Sequence, residues 1–382
     1  MPIRAAARVD LGAISANVGR LVEIAGPAQV MAVVKAEGYG HGLVQSALAA
    51  QNGGATWLGV AFLEEALSLR AAGVGGRILS WLAVPGEPLA EAVRADVDLS
   101  ASAPWMIAEI AAAARTADLV ARVHLKVDTG LSRGGAVEPD WPALVAAALK
   151  AEADGQVNVV GVWSHFVHGD DPWHPTTRRQ VAAFTEAVAL AERAGARPEV
   201  RHLANSGGLL DVPQSRFDLV RAGIAIYGLS PVADPAAAVA IGLRPAMTLT
   251  ARLALTKRVS AGTGVSYGHR YQTPIASKLG LVPIGYADGI GRAAANAAEV
   301  LVAGRDRTAR CTIAGTVSMD QFVVDLGADD DDNFAAGDEV VLFGTGERGE
   351  PTADDWARAL DTISYEIVSR VGVRVPRVYE GG

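Results

Sequence analysis

Lysine is scarce in this chain. Only Lys35, Lys126, Lys150, Lys257 and Lys278 stand among 34 basic residues, so each invites a chemical question. Lys35 ends the apolar run Met31-Ala-Val-Val. An amine carried into such surroundings disfavours its ammonium form, which lowers its pKa and suits Schiff-base chemistry. The plainer reading is an edge lysine whose stem snorkels to water. Gly38, Gly40 and Gly42 follow at once and permit a tight turn. Further along, Asn205-Ser206-Gly207-Gly208 and Gly223-Ile224 read as turns with free backbone N–H groups. Glycine-rich turns from strand to helix are ready phosphate cradles. A strand-end lysine combined with such cradles points to a phosphorylated cofactor held by an imine, with pyridoxal phosphate as the natural candidate.

These residues need elements to position them. Apolar runs suited to strands fall at Val30–Lys35, Leu58–Phe62, Arg77–Leu82, Val97–Ala101, Arg122–Val127, Val159–His165, Val200–Ala204 and Leu219–Tyr227. Ala-rich stretches of helical length lie between them, among them Glu64–Ala72, Trp105–Arg115 and Thr176–Ala194. Eight strand–helix units predict an α/β fold, a (β/α)8 TIM-type barrel, with a doubly wound open sheet as the alternative. The texture changes near residue 240. Short runs at Met247–Lys257, Leu279–Ile284, Ala309–Ile313, Phe322–Leu326 and Glu339–Phe343, separated by Gly, Asp and Pro, predict a mostly β C-terminal domain. The expected division is a barrel over residues 1–240 and a β-rich domain over 241–382, with the first ten or so residues free to pack on the latter. The Asp329–Asp332 run reads as a solvated loop rather than a metal site, because adjacent carboxylates repel.

The strand ends gather polar residues: Lys35 to His41 after the first, Thr129 to Arg133 after the fifth, His165 after the sixth, His202 to Ser206 after the seventh, and Arg221 to Tyr227 at the eighth. His124, Lys126 and Asp128 share one strand face at period two. A lone strand histidine is more often structural than catalytic. Polar groups ending at least five strands on one rim define an active-site reading.

Composition excludes other classes. The chain has 382 residues, half of them apolar, and one cysteine, Cys311, which rules out an internal disulfide framework and fits a reducing compartment. The net charge of −8 argues against a nucleic-acid binder. No run of about 18 apolar residues suggests a membrane span, and no apolar leader opens the sequence. A cytoplasmic protein with no metal is expected.

The segment Val33-Val-Lys35-Ala-Glu-Gly-Tyr39-Gly-His41-Gly resembles the cofactor-lysine signature of alanine racemases. So do Lys126-Val-Asp-Thr-Gly-Leu-Ser-Arg133, His202-Leu-Ala-Asn205-Ser206 and Phe217-Asp-Leu-Val-Arg221-Ala-Gly-Ile-Ala-Ile-Tyr227. Gly264-Val-Ser-Tyr267-Gly, Ile284-Gly-Tyr286, Val317-Ser-Met319-Asp320 and Ser364-Tyr365-Glu366 continue the match in order. Glu37-Gly38, Ser132 and Thr316 depart from common family forms, and Thr316 stands where many relatives have an arginine near the entrance.

The resemblance implies interconversion of L-alanine and D-alanine on pyridoxal 5′-phosphate by two-base proton transfer, supplying D-alanine for peptidoglycan. It also implies a homodimer in which Lys35 of one subunit and Tyr267 of the other share a site. Tyr39, Ser206, Gly223, Ile224 and Tyr365 fall on phosphate-holding positions, and His165 falls beside the pyridine ring. Arg221 faces the ring nitrogen, and His202 links Arg221 to the catalytic tyrosine. Arg133, Tyr286 and Met319, the last through its backbone N–H, fall on substrate positions. Lys126 is either an ordinary lysine paired with Asp128 or the carrier of a CO2-derived carbamate that steadies Arg133. Three rivals stay open: a racemase of the same family acting on serine or several amino acids, a barrel decarboxylase, and a non-catalytic cofactor-binding protein.

Overall fold

A computed structural model of the chain describes residues 4–169, 171, 173–232, 236–328 and 333–382; the Asp329–Asp332 run lies outside the described residues. The chain divides into two compact units, one of Ile14–Gly38 with Leu43–Leu243, the other of Met1–Ala13, Tyr39–Gly42 and Arg244–Gly382.

The strand β1 (Ala5–Asp10) belongs to the second unit. The first unit is built on β2 (Gln29–Val33), β3 (Trp57–Val60), β4 (Arg77–Ser80), β5 (Val97–Ala101), β6 (Ala121–Lys126), β7 (Val157–Trp163), β8 (Val200–His202) and β9 (Leu219–Ala222). They form one sheet in the order β8-β7-β6-β5-β4-β3-β2-β9, every neighbouring pair parallel. Between the two end strands, Arg221 N–H donates to the Ala204 carbonyl (2.9 Å) and Asp218 N–H to that of Arg201 (3.1 Å), which brings the edges together. A parallel sheet joined in this way is a (β/α)8 barrel and not an open doubly wound sheet. Both faces of its strands are covered, so β3 and β5 are buried at every position; β3 is apolar throughout, whereas β5 carries Asp98 and Ser100 into the interior. The helix Pro175–Ala194 shows how the intervening elements are delimited. Pro175 sits in its first turn, the His174 side chain accepts the Thr176 N–H, and Gly195 (φ 117°) ends it in a left-handed C-cap.

The second unit contains β10 (Met247–Arg252), β11 (Leu255–Val259), β12 (Gly264–Val265), β13 (Tyr271–Gln272), β14 (Ser277–Val282), β15 (Glu299–Ala303), β16 (Thr308–Thr312), β17 (Phe322–Asp325), β18 (Glu339–Phe343) and β19 (Arg377–Glu380). A six-stranded sheet runs β16-β15-β18-β10-β1-β19, and β11-β14-β17 and β12-β13 form smaller sheets. The N-terminal strand β1 thus lies inside this sheet, antiparallel to β10 and parallel to β19.

Two expected strands differ. The run Met247–Lys257 is two strands in different sheets. At the break, Leu253 N–H donates to Asp338 O (2.9 Å) while Ala254 N–H donates to Leu281 O (2.8 Å), so consecutive residues serve different partners. The run Leu219–Tyr227 stays a strand only to Ala222. The Ser206 hydroxyl then accepts the Gly223 N–H (2.8 Å), and Ile224–Tyr227 winds into a 3-10 turn.

Candidate active site

Lys35 stands at the C-terminal end of β2, where barrel chemistry gathers. The turn it opens is left-handed: Ala36 (φ 53°), Glu37 (56°), Gly38 (60°) and Tyr39 (52°) follow one another in the αL region. That region costs a residue with a Cβ about 1–2 kcal/mol, so the three non-glycine positions need support. Within the barrel unit Glu65 supplies it, accepting N–H groups from Ala36 (2.6 Å), Ala61 (2.9 Å) and Phe62 (3.1 Å). Gly38 N–H donates to Val34 O (2.8 Å), and the Glu37 carboxylate accepts the Leu43 N–H (3.2 Å). Burial, then the charge of Arg133, lower the Lys35 pKa, with Glu65 opposing.

Arg221 is the most constrained group on the rim, with only 4% of its surface exposed. Its NH1 donates to His202 Nδ1 (3.1 Å) and to the His202 carbonyl (3.0 Å). Its NH2 donates to the carbonyls of Ser164 (2.7 Å) and Leu203 (3.0 Å) and faces His165 Nδ1 (3.1 Å). The guanidinium lies 4.9 Å from the centre of the Trp163 ring, over which Lys126 Nζ also sits at 4.4 Å. Burial, then Arg133, push the Arg221 pKa down to about 9, which leaves it charged at neutral pH. Burial, then Arg221 and Arg133, push Lys126 down to about 8 against the pull of Asp128. Asp128 itself turns to the N–H groups of Gly130 (2.8 Å) and Ser132 (3.2 Å) in the loop after β6, and Lys126 forms no ion pair among the described residues. Arg133 is exposed on that loop.

Both ring nitrogens of His202 are engaged, Nδ1 by Arg221 and Nε2 by His124 Nδ1 (2.9 Å). The expected link from His202 to a tyrosine therefore has no nitrogen left to make it. His165 uses only Nδ1 among the described residues, and burial followed by Arg221 holds its pKa well below the ordinary histidine value. His124 reaches His202 across β7, over Gly161, where a Cβ would fall 2.1 Å from His124 Nδ1. Gly161→Ala is expected to lower stability by about 1–3 kcal/mol through overpacking; an unchanged denaturation midpoint would mean that His124 does not cross there.

Ser206 begins the short helix Ser206–Asp211, which Asn205 caps by accepting the Gly208 N–H (2.9 Å). The buried Ser206 hydroxyl faces the turn that contains Gly223 and Ile224, so the two turns meet. Ile224 opens a 3-10 turn and its N–H is not consumed within it.

The remaining expected residues lie in the other unit. Tyr39 and Tyr365 approach with ring centroids 6.2 Å apart, and burial raises the Tyr39 pKa. Tyr267 is 75% exposed. Its backbone is held by Thr316, whose hydroxyl donates to the Tyr267 carbonyl (3.0 Å), while Ser266 Oγ donates to the Thr316 carbonyl (2.7 Å). Thr316, noticed in the sequence only as a departure, thus positions Tyr267. Tyr286 N–H donates to Ser318 O (3.0 Å), placing Tyr286 and Met319 on adjoining segments, and both side chains are exposed.

The fold and this rim define a (β/α)8 barrel protein whose strand ends bring together a part-buried amine and a clamped guanidinium. Residues 9–231 match the family model described as alanine racemase, N-terminal domain, and residues 246–379 match alanine racemase, C-terminal domain. The chain is 61% identical over 377 residues to the alanine racemase of Frankia casuarinae, covering 99% of this chain and 96% of that protein. It is 58% identical to that of Thermobifida fusca, covering 99% and 98%. The crystal structure of alanine racemase from D-cycloserine producing Streptomyces lavendulae superposes with a TM-score of 0.96 at 54% identity, covering 100% of this chain and 98% of that one. The chain belongs to the alanine racemase family.

Proposed function

We propose that this protein interconverts L-alanine and D-alanine with pyridoxal 5′-phosphate as cofactor. The observation that carries this reading is the donor set of Arg221. Protein acceptors take up both terminal nitrogens, and the Nε–H is the donor without a partner among the described residues. A guanidinium can only donate, so the group that completes the set is an acceptor such as an unprotonated pyridine nitrogen. The strand β9 that carries Arg221 pairs with β2, which delivers Lys35, so amine and donor share one end of the barrel. The cofactor fits the rest of this rim. Lys35 would hold its carbonyl carbon, Ser206 with the Gly223 and Ile224 turn its phosphate, and His165 one side of its ring. Tyr39 and Tyr365 are assigned to the phosphate on the family reading.

When bound, the cofactor supplies the electron sink that lets the Cα–H of an amino acid ionise. Inversion then needs one base on each face of Cα. Lys35, with its pKa lowered by burial, keeps a larger neutral fraction than an ordinary lysine and accepts the proton on one face. Tyr267 serves the other. A phenol is by its nature a weak base at neutral pH, and in the single chain no neighbouring group among the described residues covers the Tyr267 side chain, which is exposed. We therefore infer a homodimer in which a second copy covers Tyr267, with His165 as the imidazole that keeps a free nitrogen for it. Arg133, Tyr286 and the Met319 N–H orient the substrate carboxylate. Arg221, which can only donate, would hold a pyridine nitrogen in acceptor form, and that would temper the sink and limit transamination. The single cysteine fits a reducing compartment, and we assign a cytoplasmic role supplying D-alanine for peptidoglycan. Incubation of the purified holoenzyme with either enantiomer should give the racemate; absence of inversion from both sides would overturn the proposal.

Lys126 is assigned the carbamate. A pKa near 8 exposes more free amine to CO2 than an ordinary lysine offers, and the N–C bond forms with release of a proton. The product is an anion among Arg221 and Arg133, where the ammonium is disfavoured. Protein equilibrated with 13C-bicarbonate should show a bound carbamate carbon by NMR that Lys126→Ala abolishes. A spectrum without that signal would return Lys126 to an ordinary amine.

A further inference from the structure

A buried polar chain runs beyond His202 and away from the rim. His202 Nε2 meets His124 Nδ1 at 2.9 Å, and His124 Nε2 meets Asp98 Oδ2 at 3.1 Å. Asp98, His124 and His202 have no exposed surface. Asp98 Oδ1 accepts Arg122 Nε (2.9 Å), and Arg122 with Arg77 reaches Glu199 (3.1 and 3.0 Å), whose carboxylate is nearly half exposed. The chain therefore crosses the barrel interior, from a solvated ion cluster to Arg221.

Its two ends have opposite and unambiguous chemistry. A carboxylate with arginine neighbours is acceptor only, and a guanidinium is donor only. With one proton on each imidazole the two rings between them have one arrangement that satisfies every contact, and a second proton on either ring would set donor against donor at His202 or Arg221. Each carries its proton on Nε2 and gives it towards Asp98, and each offers its Nδ1 lone pair towards Arg221. Reversing either ring sets donor against donor or lone pair against lone pair in a dry core, at full desolvation cost. We propose that Asp98 and His124 are positioning residues for catalysis: the acceptor-only end selects the tautomers of His124 and His202, and this holds Arg221 with its Nε–H left for the cofactor. The inference rests on the reading of Arg221 given above.

Asp98→Asn tests it. Arg122 will claim the carbonyl oxygen of the new amide, which leaves the NH2 group facing His124. That contact favours the reversed chain, with His202 Nδ1–H set against an N–H of Arg221. Protein labelled with 15N-histidine reports tautomers directly by long-range 1H–15N correlation, with signals assigned through His124→Gln and His202→Gln. Both histidines should be Nε2–H in the wild-type protein. In Asp98→Asn they should change tautomer or populate both, and kcat should fall at least about tenfold while KM for alanine stays within about twofold. An Nδ1–H tautomer on either wild-type histidine would overturn the proposal, and this needs no variant to fold. Altered tautomers with unchanged kcat would also overturn it. A wild-type protein without racemase activity would defeat the functional reading instead, and the tautomers would still be read.

Discussion

Lys35→Ala should lower the rate of alanine racemisation by at least 10²–10⁴-fold, the usual contribution of a general base, because the same amine also anchors the cofactor. The loss should be chemical and not structural. Lys35 makes no hydrogen bond or ion pair among the described residues, and the turn around it is held through Glu65 and backbone groups. Removing a desolvated amine leaves those supports intact, so the variant should keep the wild-type denaturation midpoint. In the wild-type holoenzyme, borohydride reduction followed by peptide mapping should find the covalent label on Lys35. A label on Lys126, Lys150, Lys257 or Lys278 would overturn the assignment, as would a variant that retains activity.

The second large effect tests whether the two bases come from different chains. Tyr267→Phe should lose most activity for the same reason as Lys35→Ala. If sites are shared across a two-fold dimer, unfolding and refolding the two inactive variants together should restore function. Random pairing makes about half the dimers mixed, and each mixed dimer has one site with both defects and one with neither. Roughly a quarter of all sites should then be wild type. Activity near that level supports a site built from two subunits. Activity no higher than the mean of the variants, with subunit exchange verified by native mass spectrometry, would place both bases in one chain and leave the exposure of Tyr267 to be explained otherwise.

Local chemistry made much of this legible in the sequence. A lysine closing an apolar run, glycines at the turns and polar residues at successive strand ends are neighbours along the chain, and period and spacing reveal them. What escaped notice depends on partners distant in sequence. Asp98 sits within the apolar strand Val97–Ala101, and a buried strand acid was the available signal, but its partner His124 is 26 residues away and His202 lies 78 beyond that. His202 shows the same limit: its contact with Arg221 is present through Nδ1, but nothing local in the sequence revealed that His124, on another strand, occupies Nε2. Glu65 looks like an ordinary helix-opening acid until the left-handed turn places the Ala36 N–H against it. The split of Met247–Lys257 is set by which strand each N–H finds, and hydrophobicity does not encode that choice.

The position of β1 has a consequence for synthesis on the ribosome. Its neighbours β10 and β19 begin at Met247 and Arg377, so β1, made before the barrel, is flanked by strands made only after the barrel sequence has been translated. At about 5–20 residues per second the wait lasts tens of seconds, far longer than a hairpin or helix takes to form. During that interval β1 is an unpaired strand tethered to a folding barrel. Its sequence, Ala-Ala-Ala-Arg-Val-Asp, suits the wait: three alanines give little apolar surface for wrong pairing, and Arg8 and Asp10 charge the remainder. Apolar β-branched residues at Ala5 and Ala7 would therefore be expected to lower the soluble yield during expression more than they alter the stability of the finished sheet.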